Sequence, residues 1–544
     1  MDPRQPEHPI SYRELLCGAA GYADALRSVG VQPGEVVILI LGHSEALVFS
    51  FFGAVLHGAI PAIMPFLTEK LSPDQYRRSL KSLFEVTAPA AVVTYPEFLA
   101  EVQNAIPAGG SIRKVLLSSE IGPRSKPDFS AMRGRERAPE DIVLLQHSSG
   151  TTGLQKGVAL SHAAVFRQLE SYSNAIRLRS GDTIVSWLPL YHDMGLIAGF
   201  LMPVLQGIPL VLMSPFDWVR APYKLLQAVS RHRGTLSWLP NFAYNFCAQK
   251  IRDRDLEGVD LSSWRAVSNC SEPMHFKSHR MFLERFRARG LKEEALATCY
   301  AMAENVFAVT QGGIDSPVTV DSISQRGLLI DRIARPAAGG EEAMNMLSCG
   351  RPIANVDVKI VDDSRRELPA RHLGEVMLRS DCMLTGYYRR PDLTEKTIHD
   401  GWFFTGDLGY LAGGEVYITG RKKDLIIVGG KNVYPQDLES LASEVAGVHP
   451  GRAVAFGVYN EELGTEEVVM VAEMDAGEMP EDRMEEATGR LAEEIRRRVT
   501  QGSDIALRQV KVVGRGWLLK TSSGKIARGA NREKYLAETV ALGE

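Results

Sequence analysis

Short apolar runs alternate with amphipathic stretches along most of the chain. Val36–Leu41, Ile60–Met64 and Ala91–Thr94 have the length and texture of buried strands. Between Pro9 and Gly30, SYRELLCGAAGYADALRSVG reads as an amphipathic helix. The pattern resumes after residue 160, with strands expected at Ile184–Trp187, Leu210–Met213, Thr235–Leu239 and Arg265–Asn269. Strands that alternate with helices predict βαβ units and parallel sheet. From Gly413 the texture changes. A strand at Glu415–Thr419 meets the polar run Gly420–Arg421–Lys422–Lys423, and a second strand follows at Leu425–Val428. Beyond Tyr434–Pro435 come a helix, strands at Ala453–Phe456 and Val468–Glu473, and a longer helix. That helix sets Met484, Ala487, Leu491, Ile495 and Val499 on one face, and Arg496–Arg498 reads as a solvated face. The expected architecture is α/β: a large N-terminal domain, 1–421, of mixed and parallel sheets with helices, and a small mobile α+β domain, 422–544, hinged near Lys423.

Composition adds exclusions. The chain has 544 residues, 45% hydrophobic and 24% charged, which suits a large buried core and neither disorder nor a fibrous repeat. A formal charge of −4 argues against a dedicated nucleic-acid binder. Six scattered cysteines without CxxC spacing suggest buried, reduced thiols in a cytoplasmic protein. The N-terminus, MDPRQPEHPI, lacks the apolar core of a signal peptide. Ala46–Leu67 is uncharged and long enough for a bilayer, but Gly53, His57, Gly58, Pro61 and Pro65 favour a buried strand–helix–strand unit. The chain is therefore expected to be soluble, with no integral membrane segment.

The candidate chemistry begins at Asp141, in DIVLLQHSSGTTGLQKGVALSH. A strand at Ile142–Leu145 runs into Ser148, Ser149, Gly150, Thr151, Thr152 and Gly153, whose hydroxyls and backbone N–H groups could converge on phosphate oxygens. Lys156 supplies a cation there. This is not a Walker loop, because Gln155 stands where the second glycine belongs, and a P-loop kinase is excluded on that ground. Gly157–Leu160 reads as a further strand, with Ser161 capping the next helix. From these residues alone, a phosphate cradle and an ordinary turn both remain open.

HSSGTTGLQKGV resembles the signature loop of the adenylate-forming superfamily: acyl-CoA synthetases, fatty acyl-AMP ligases, luciferases and nonribosomal adenylation domains. Gln155 replaces the usual proline, and the lysine is kept. The resemblance continues in order along the chain. WLPLYHDMGL, from Trp187, is similar to the motif that implies His192 beside the substrate carboxylate. NCSEPM, at Asn269–Met274, resembles the adenine-binding turn and implicates Asn269, Ser271 and Glu272, although the family more often has glycine at the position of Cys270 or Ser271. CYAMAEN implies Tyr300, with Ala301 and Met302, against adenine, and Glu304 as the Mg²⁺ ligand. FFTGDLGY implies Asp407 on the ribose hydroxyls, with Arg421 beside ribose or phosphate. KTSSGKIAR implies Lys525 as the catalytic lysine, carried on the small domain.

The implied reaction is ATP-dependent activation of a carboxylic acid to acyl-AMP with release of pyrophosphate, then transfer to a thiol. The stretch matching the acyl pocket, TLSWLPNFAYNF, contains Trp238, Asn241 and Phe242 and no acidic residue to pair an α-ammonium, so an apolar or fatty acid is expected. Glu304 and Gly350 are 46 positions apart (350 − 304), and PVTVDSISQRGLLIDRIARPAAGGEEAMN resembles the insertion of the fatty acyl-AMP ligase branch. That branch disfavours CoA and passes its acyl group to an acyl carrier protein, here a separate chain. An acyl-CoA synthetase is the alternative, and a catalytically silent nucleotide-binding scaffold is the alternative from another class.

Overall fold

The computed structural model describes residues 7–65, 73–148, 156–428, 431–460, 465–475, 481–503, 505–521 and 524–542. Two parallel sheets organise the first part of the chain. In one, the order is Ile60–Ile63, Val36–Leu39, Ala91–Thr94 and Lys114–Leu117, every pair parallel. The first three of these strands are buried at every position, so they carry continuous apolar runs rather than an alternation. The helix Tyr12–Ser28 starts with a capping box: Ser11 accepts from the Glu14 backbone N–H, and Glu14 accepts from that of Ser11. It packs against Glu45–His57 at Gly53, where a Cβ would lie 2.5 Å from Tyr22 Cβ. The uncharged stretch after Ala46 is thus a helix and a strand of this layer. Among the described residues, no helix is long and apolar enough to cross a membrane.

The second parallel sheet runs Leu296–Cys299, Ala266–Cys270, Leu236–Leu239, Ile184–Ser186 and Leu210–Leu212. Its carboxyl ends lead into Ser271, Tyr300, Asn241 and the Trp187–Asp193 segment, the edge where open α/β sheets receive ligands. Five cysteines are buried and free; Cys17 is only half-buried.

The antiparallel sheet that follows is legible in apolar runs only at Glu415–Thr419. It joins Val356–Val361, Gly374–Ser380 and Trp402–Ala412, with Glu415–Arg421 paired to the last of these. Charged residues punctuate its strands because one face is partly solvated, as in VDVKIV and GEVMLRS.

The last part of the chain forms its own layers. Val448–Asn460 pairs antiparallel with Thr465–Met474, which pairs parallel with Leu507–Val513. Alternate strand residues face opposite sides, as the period of two requires. Ala455, Met470 and Ala472 meet Leu438, Leu491, Ile495 and Val499 on one side, while Val454, Phe456 and Val471 meet Leu518 and Tyr535 on the other. Lys422–Asp424 is a single 3₁₀ turn leading into these layers. The inserted segment forms an antiparallel pair, Val320–Ser324 with Ala343–Leu347. Its Ile323, Leu328 and Leu329 share one apolar cluster with Leu425 and Tyr434.

Candidate active site

A strand pair sets one end of the candidate site. Ile142–Ser148 and Lys156–Ser161 are antiparallel, so Ser148 and Lys156 lie opposite each other at the two ends of the hydroxyl-rich motif. Ser149, Gly150, Thr151, Thr152 and Gly153 fall outside the described residues, and Ser148 is described only by its strand position. The short strand Gly386–Tyr387 joins the same sheet, with Tyr387 opposite Val158. Lys156 Nζ lies 5.2 Å from the centre of the Tyr387 ring. The Tyr387 hydroxyl donates to Glu304 Oε1 at 2.8 Å. Burial raises the Glu304 carboxyl above its usual range, against the lowering effect of that hydrogen bond. Tyr387 carried no motif signal, and only the pairing of strands distant in sequence brings it here.

Among the described residues, no cluster of three or more His, Cys, Asp or Glu side chains is set to hold a metal ion. One carboxylate beside a lysine suits a hard divalent cation shared with phosphate oxygens better than an all-protein cage.

Sheet register builds the next element. Asp407 and Arg421 are opposite residues of an antiparallel pair, and Arg421 Nε donates to Asp407 Oδ1 at 3.1 Å. The Tyr300 hydroxyl donates to Asp407 Oδ2 at 2.6 Å. Asp407 is only 7% exposed. Burial, together with the adjacent Asp407 carboxylate, pushes the Tyr300 phenol well above its usual pKa. Tyr300, read from sequence as an adenine-stacking ring, is therefore also tied to the carboxylate expected to receive the ribose. Ala301 and Met302 follow it, both half-buried.

The turn after Ala266–Cys270 places Ser271 at φ +69°. Glycine adopts that left-handed conformation at no steric cost, which explains why the family more often has glycine here. Asn269 is fully buried and donates from Nδ2 to Asn241 Oδ1 at 3.0 Å. Asn241 also accepts from the His275 backbone N–H at 3.1 Å and donates to Ser278 Oγ at 3.2 Å. Asn241 thus braces this turn. Glu272 Oε2 accepts from the backbone N–H of Phe242 at 2.9 Å, in the first turn of the helix Asn241–Lys250.

Phe242 is 38% exposed, and its ring meets Trp187 and Trp218 edge-on. Those two indoles stack at 3.6 Å and 7°. Trp238 has a different setting. It is 2% exposed, and its indole N–H donates to the Tyr172 hydroxyl at 2.7 Å, inside the core.

His192 and Lys525 close the site. His192 Nδ1 lies 2.6 Å from Asp193 Oδ1, and the same carboxylate oxygen accepts from the Met194 N–H at 2.8 Å. Burial works to raise the Asp193 carboxyl, but His192 and the charge of Lys525 outweigh it and hold it below its usual range. Lys525 sits on a tight loop. Its carbonyl accepts from the Thr521 N–H at 2.7 Å, and Gly524 takes φ +85°. Burial lowers the Lys525 pKa, Arg421 adds to the effect, and Glu272 and Asp193 oppose it. The tail of the chain thus delivers an ammonium to the carboxyl edge of the second parallel sheet. A Lys277–Glu444 ion pair at 2.5 Å bridges the same two parts of the chain. Lys423 lies in the 3₁₀ turn between them.

Residues 4–388 match the family described as AMP-binding enzyme. A medium-chain fatty acid–acyl-carrier-protein ligase of Moorena producens (strain JHB) is 30% identical, over 98% of this chain and 90% of its own. A 4-hydroxyphenylalkanoate adenylyltransferase of Mycobacterium tuberculosis (strain ATCC 25618 / H37Rv) is 30% identical over 92% of this chain and 82% of its own. Among solved structures, one from a study of fatty acyl-adenylate ligases of E. coli and L. pneumophila superposes with a TM-score of 0.88. It is 28% identical and covers 99% of this chain and 94% of its own. A match over most of the chain, in a fold whose sheet edge gathers the motif residues, makes this protein a member of the AMP-binding enzyme family.

Proposed function

We propose that this chain joins an apolar carboxylic acid to AMP at the expense of ATP, releases pyrophosphate, and passes the acyl group to the thiol of an acyl carrier protein. The observation that carries the reading is the placement of Lys525 within electrostatic reach of Asp193, Glu272 and Arg421, the last of which bonds Asp407. A substrate carboxylate oxygen attacks the α-phosphorus, the bond to the β-phosphate oxygen breaks, and pyrophosphate leaves with that electron pair. Negative charge grows on the α-phosphoryl oxygens and the leaving group, where Lys525 and Lys156 offset it. Asp407 and Arg421 hold the ribose, Tyr300 and the Asn269–Glu272 turn hold adenine, and His192 orients the acid. Glu304 would hold a Mg²⁺ ion, which supplies further charge neutralisation at the phosphates.

Lysine must be protonated for this work. Its charged fraction falls as pH rises through its pKa, and burial has lowered that pKa. The alkaline limb of the adenylation profile is expected below the ordinary lysine value of about 10.4. In Lys525→Arg the residual activity should keep its rate to higher pH, because a guanidinium stays charged throughout that range. An identical limb in both proteins contradicts the assignment.

The acid is apolar because Thr235–Phe246 offers no carboxylate and Phe242 presents its ring beside the indole pair. For transfer, the part of the chain from 422 rotates about Lys423, withdrawing Lys525 and admitting the thiol. The insertion opposes this rotation, since Leu328 and Leu329 pack with Tyr434 and Leu425. That restraint, and the carrier-protein acceptor in the name of the Moorena relative, support a carrier over CoA. Leu328→Asp with Leu329→Asp is expected to raise the ratio of CoA thioester to carrier thioester by about tenfold, equivalent to losing about 1.4 kcal/mol of the restraint from one buried and one partly buried leucine. An unchanged ratio removes the restraint from the account. The direct test supplies ATP and a panel of fatty and aryl acids, with CoA or a carrier protein as acceptor. Carrier acylation with little CoA ester is the expected result. Efficient CoA ester formation makes the protein an acyl-CoA synthetase.

A further inference from the structure

The loop that carries Lys525 is pinned at its base by a side chain that no motif includes. Asn531 lies in the first turn of the helix Arg528–Leu542 and is 0% exposed. Its Oδ1 accepts from the Leu519 N–H at 2.8 Å. Its Nδ2 donates to the Leu519 carbonyl at 2.8 Å and to the Ala527 carbonyl at 2.9 Å. One amide thus binds both ends of the segment from Leu519 to Ala527, which the backbone bond from the Ala527 N–H to the Leu519 carbonyl also closes, at 3.0 Å. Lys520 and Ile526 bridge just above. The approach to the loop is fixed by Glu473, 1% exposed, which accepts from the Gly516 and Leu518 N–H groups at 3.0 and 2.8 Å.

We infer that Asn531 is a positioning residue for adenylate formation: its amide sets the height and direction at which Lys525 enters the site. This rests on the assignment of Lys525 to that step. An amide suits the place. It supplies a donor and an acceptor on one rigid plane, and neither a carboxylate nor a hydrocarbon can make all three bonds. The ammonium sits at the end of a flexible four-carbon stem, so the backbone carrying it must be held if the charge is to meet the α-phosphate in a single geometry.

The test separates the two half-reactions in Asn531→Leu, a change of similar size, with Lys525→Ala measured alongside. Adenylate formation should fall on the order of a hundredfold, as a misplacement of about 1 Å can cost. ATP affinity and transfer from supplied acyl-adenylate to the thiol, which proceed with the lysine withdrawn, should stay within about twofold, well inside that loss. A residue that only supports the fold would lower both half-reactions with the folded fraction. Asn531→Asp keeps the acceptor for Leu519 and needs a proton to donate, so its adenylation should recover relative to the parent as pH falls. Equal losses in the two half-reactions, or no loss in adenylation while Lys525→Ala is inactive, overturns the inference. Normal adenylation by Lys525→Ala instead refutes the lysine assignment itself.

Discussion

Lys525→Ala is expected to lower acyl-adenylate formation by on the order of a hundred- to a thousandfold, the usual cost of removing one preorganised charge-stabilising group. ATP binding should change by only a few-fold, because the proposed nucleotide contacts lie on other elements: Asp407, Arg421, Tyr300 and the turn at Asn269–Glu272. The contrast arises from where charge develops. In the ground state the α-phosphate is one of several anionic groups, and on the proposed reading Lys156 serves them. In the transition state the incoming carboxylate shares charge with that phosphate, and the proposal assigns that added charge to the ammonium of Lys525. The electrostatic partners of Lys525 support this placement, since Asp193 and Glu272 lie on the large N-terminal domain. Single-turnover formation of acyl-AMP, with ATP affinity measured on the same protein, decides the matter. A near-parental rate refutes the catalytic role, and a rate loss matched by lost ATP binding makes Lys525 a binding residue.

Asp407→Ala is expected to act on the other half of that contrast. The carboxylate has two acceptor oxygens, and Tyr300 and Arg421 donate to them at 2.6 and 3.1 Å. Two ribose hydroxyls would add hydrogen bonds to a charged acceptor, at about 1.5–3 kcal/mol each. ATP affinity should therefore fall at least tenfold, by the conversion of about 1.4 kcal/mol per decade. The substitution also leaves a guanidinium and a phenol without their shared partner, so some thermal stability should be lost. Asp407→Asn separates the two effects. It retains one carbonyl acceptor and the side-chain volume, so the melting temperature should recover more than the affinity does. Unchanged ATP affinity in both variants contradicts the ribose assignment.

How much of this was legible beforehand depended on where each feature draws its stability. Val36–Leu39, Ile60–Ile63 and Ala91–Thr94 are buried on both faces, so burial wrote itself into the chain as unbroken apolar runs. The strands of Val356–Val361 and Gly374–Ser380 belong to a sheet with one partly wet face, and their interspersed charges hid them from the same criterion, whereas Glu415–Thr419 of that sheet stayed readable. The described motif residues lie at strand ends and turns, where local conformation leaves a signature; the left-handed Ser271 marks one such turn, at a position glycine would suit. Trp238, read as a pocket residue, makes its contact with Tyr172 across 66 positions, and nothing local distinguishes that from an exposed ring. Tyr387 reaches Glu304 across 83 positions, and it too was invisible until the sheets were assembled. Asn531 is the converse case. Its bonds reach back only 4 and 12 positions, but one buried amide among the many polar residues of its helix carries no pattern to read.

The central claim is that this site makes an acid–AMP anhydride reversibly from ATP. Isotope exchange between labelled pyrophosphate and ATP, with and without a medium-chain fatty acid, tests it before any thiol acceptor is involved. The account predicts exchange that requires the acid and disappears in Lys525→Ala. Nucleotide binding without acid-dependent exchange, across the whole panel of acids, would make the protein a silent scaffold and contradict the account.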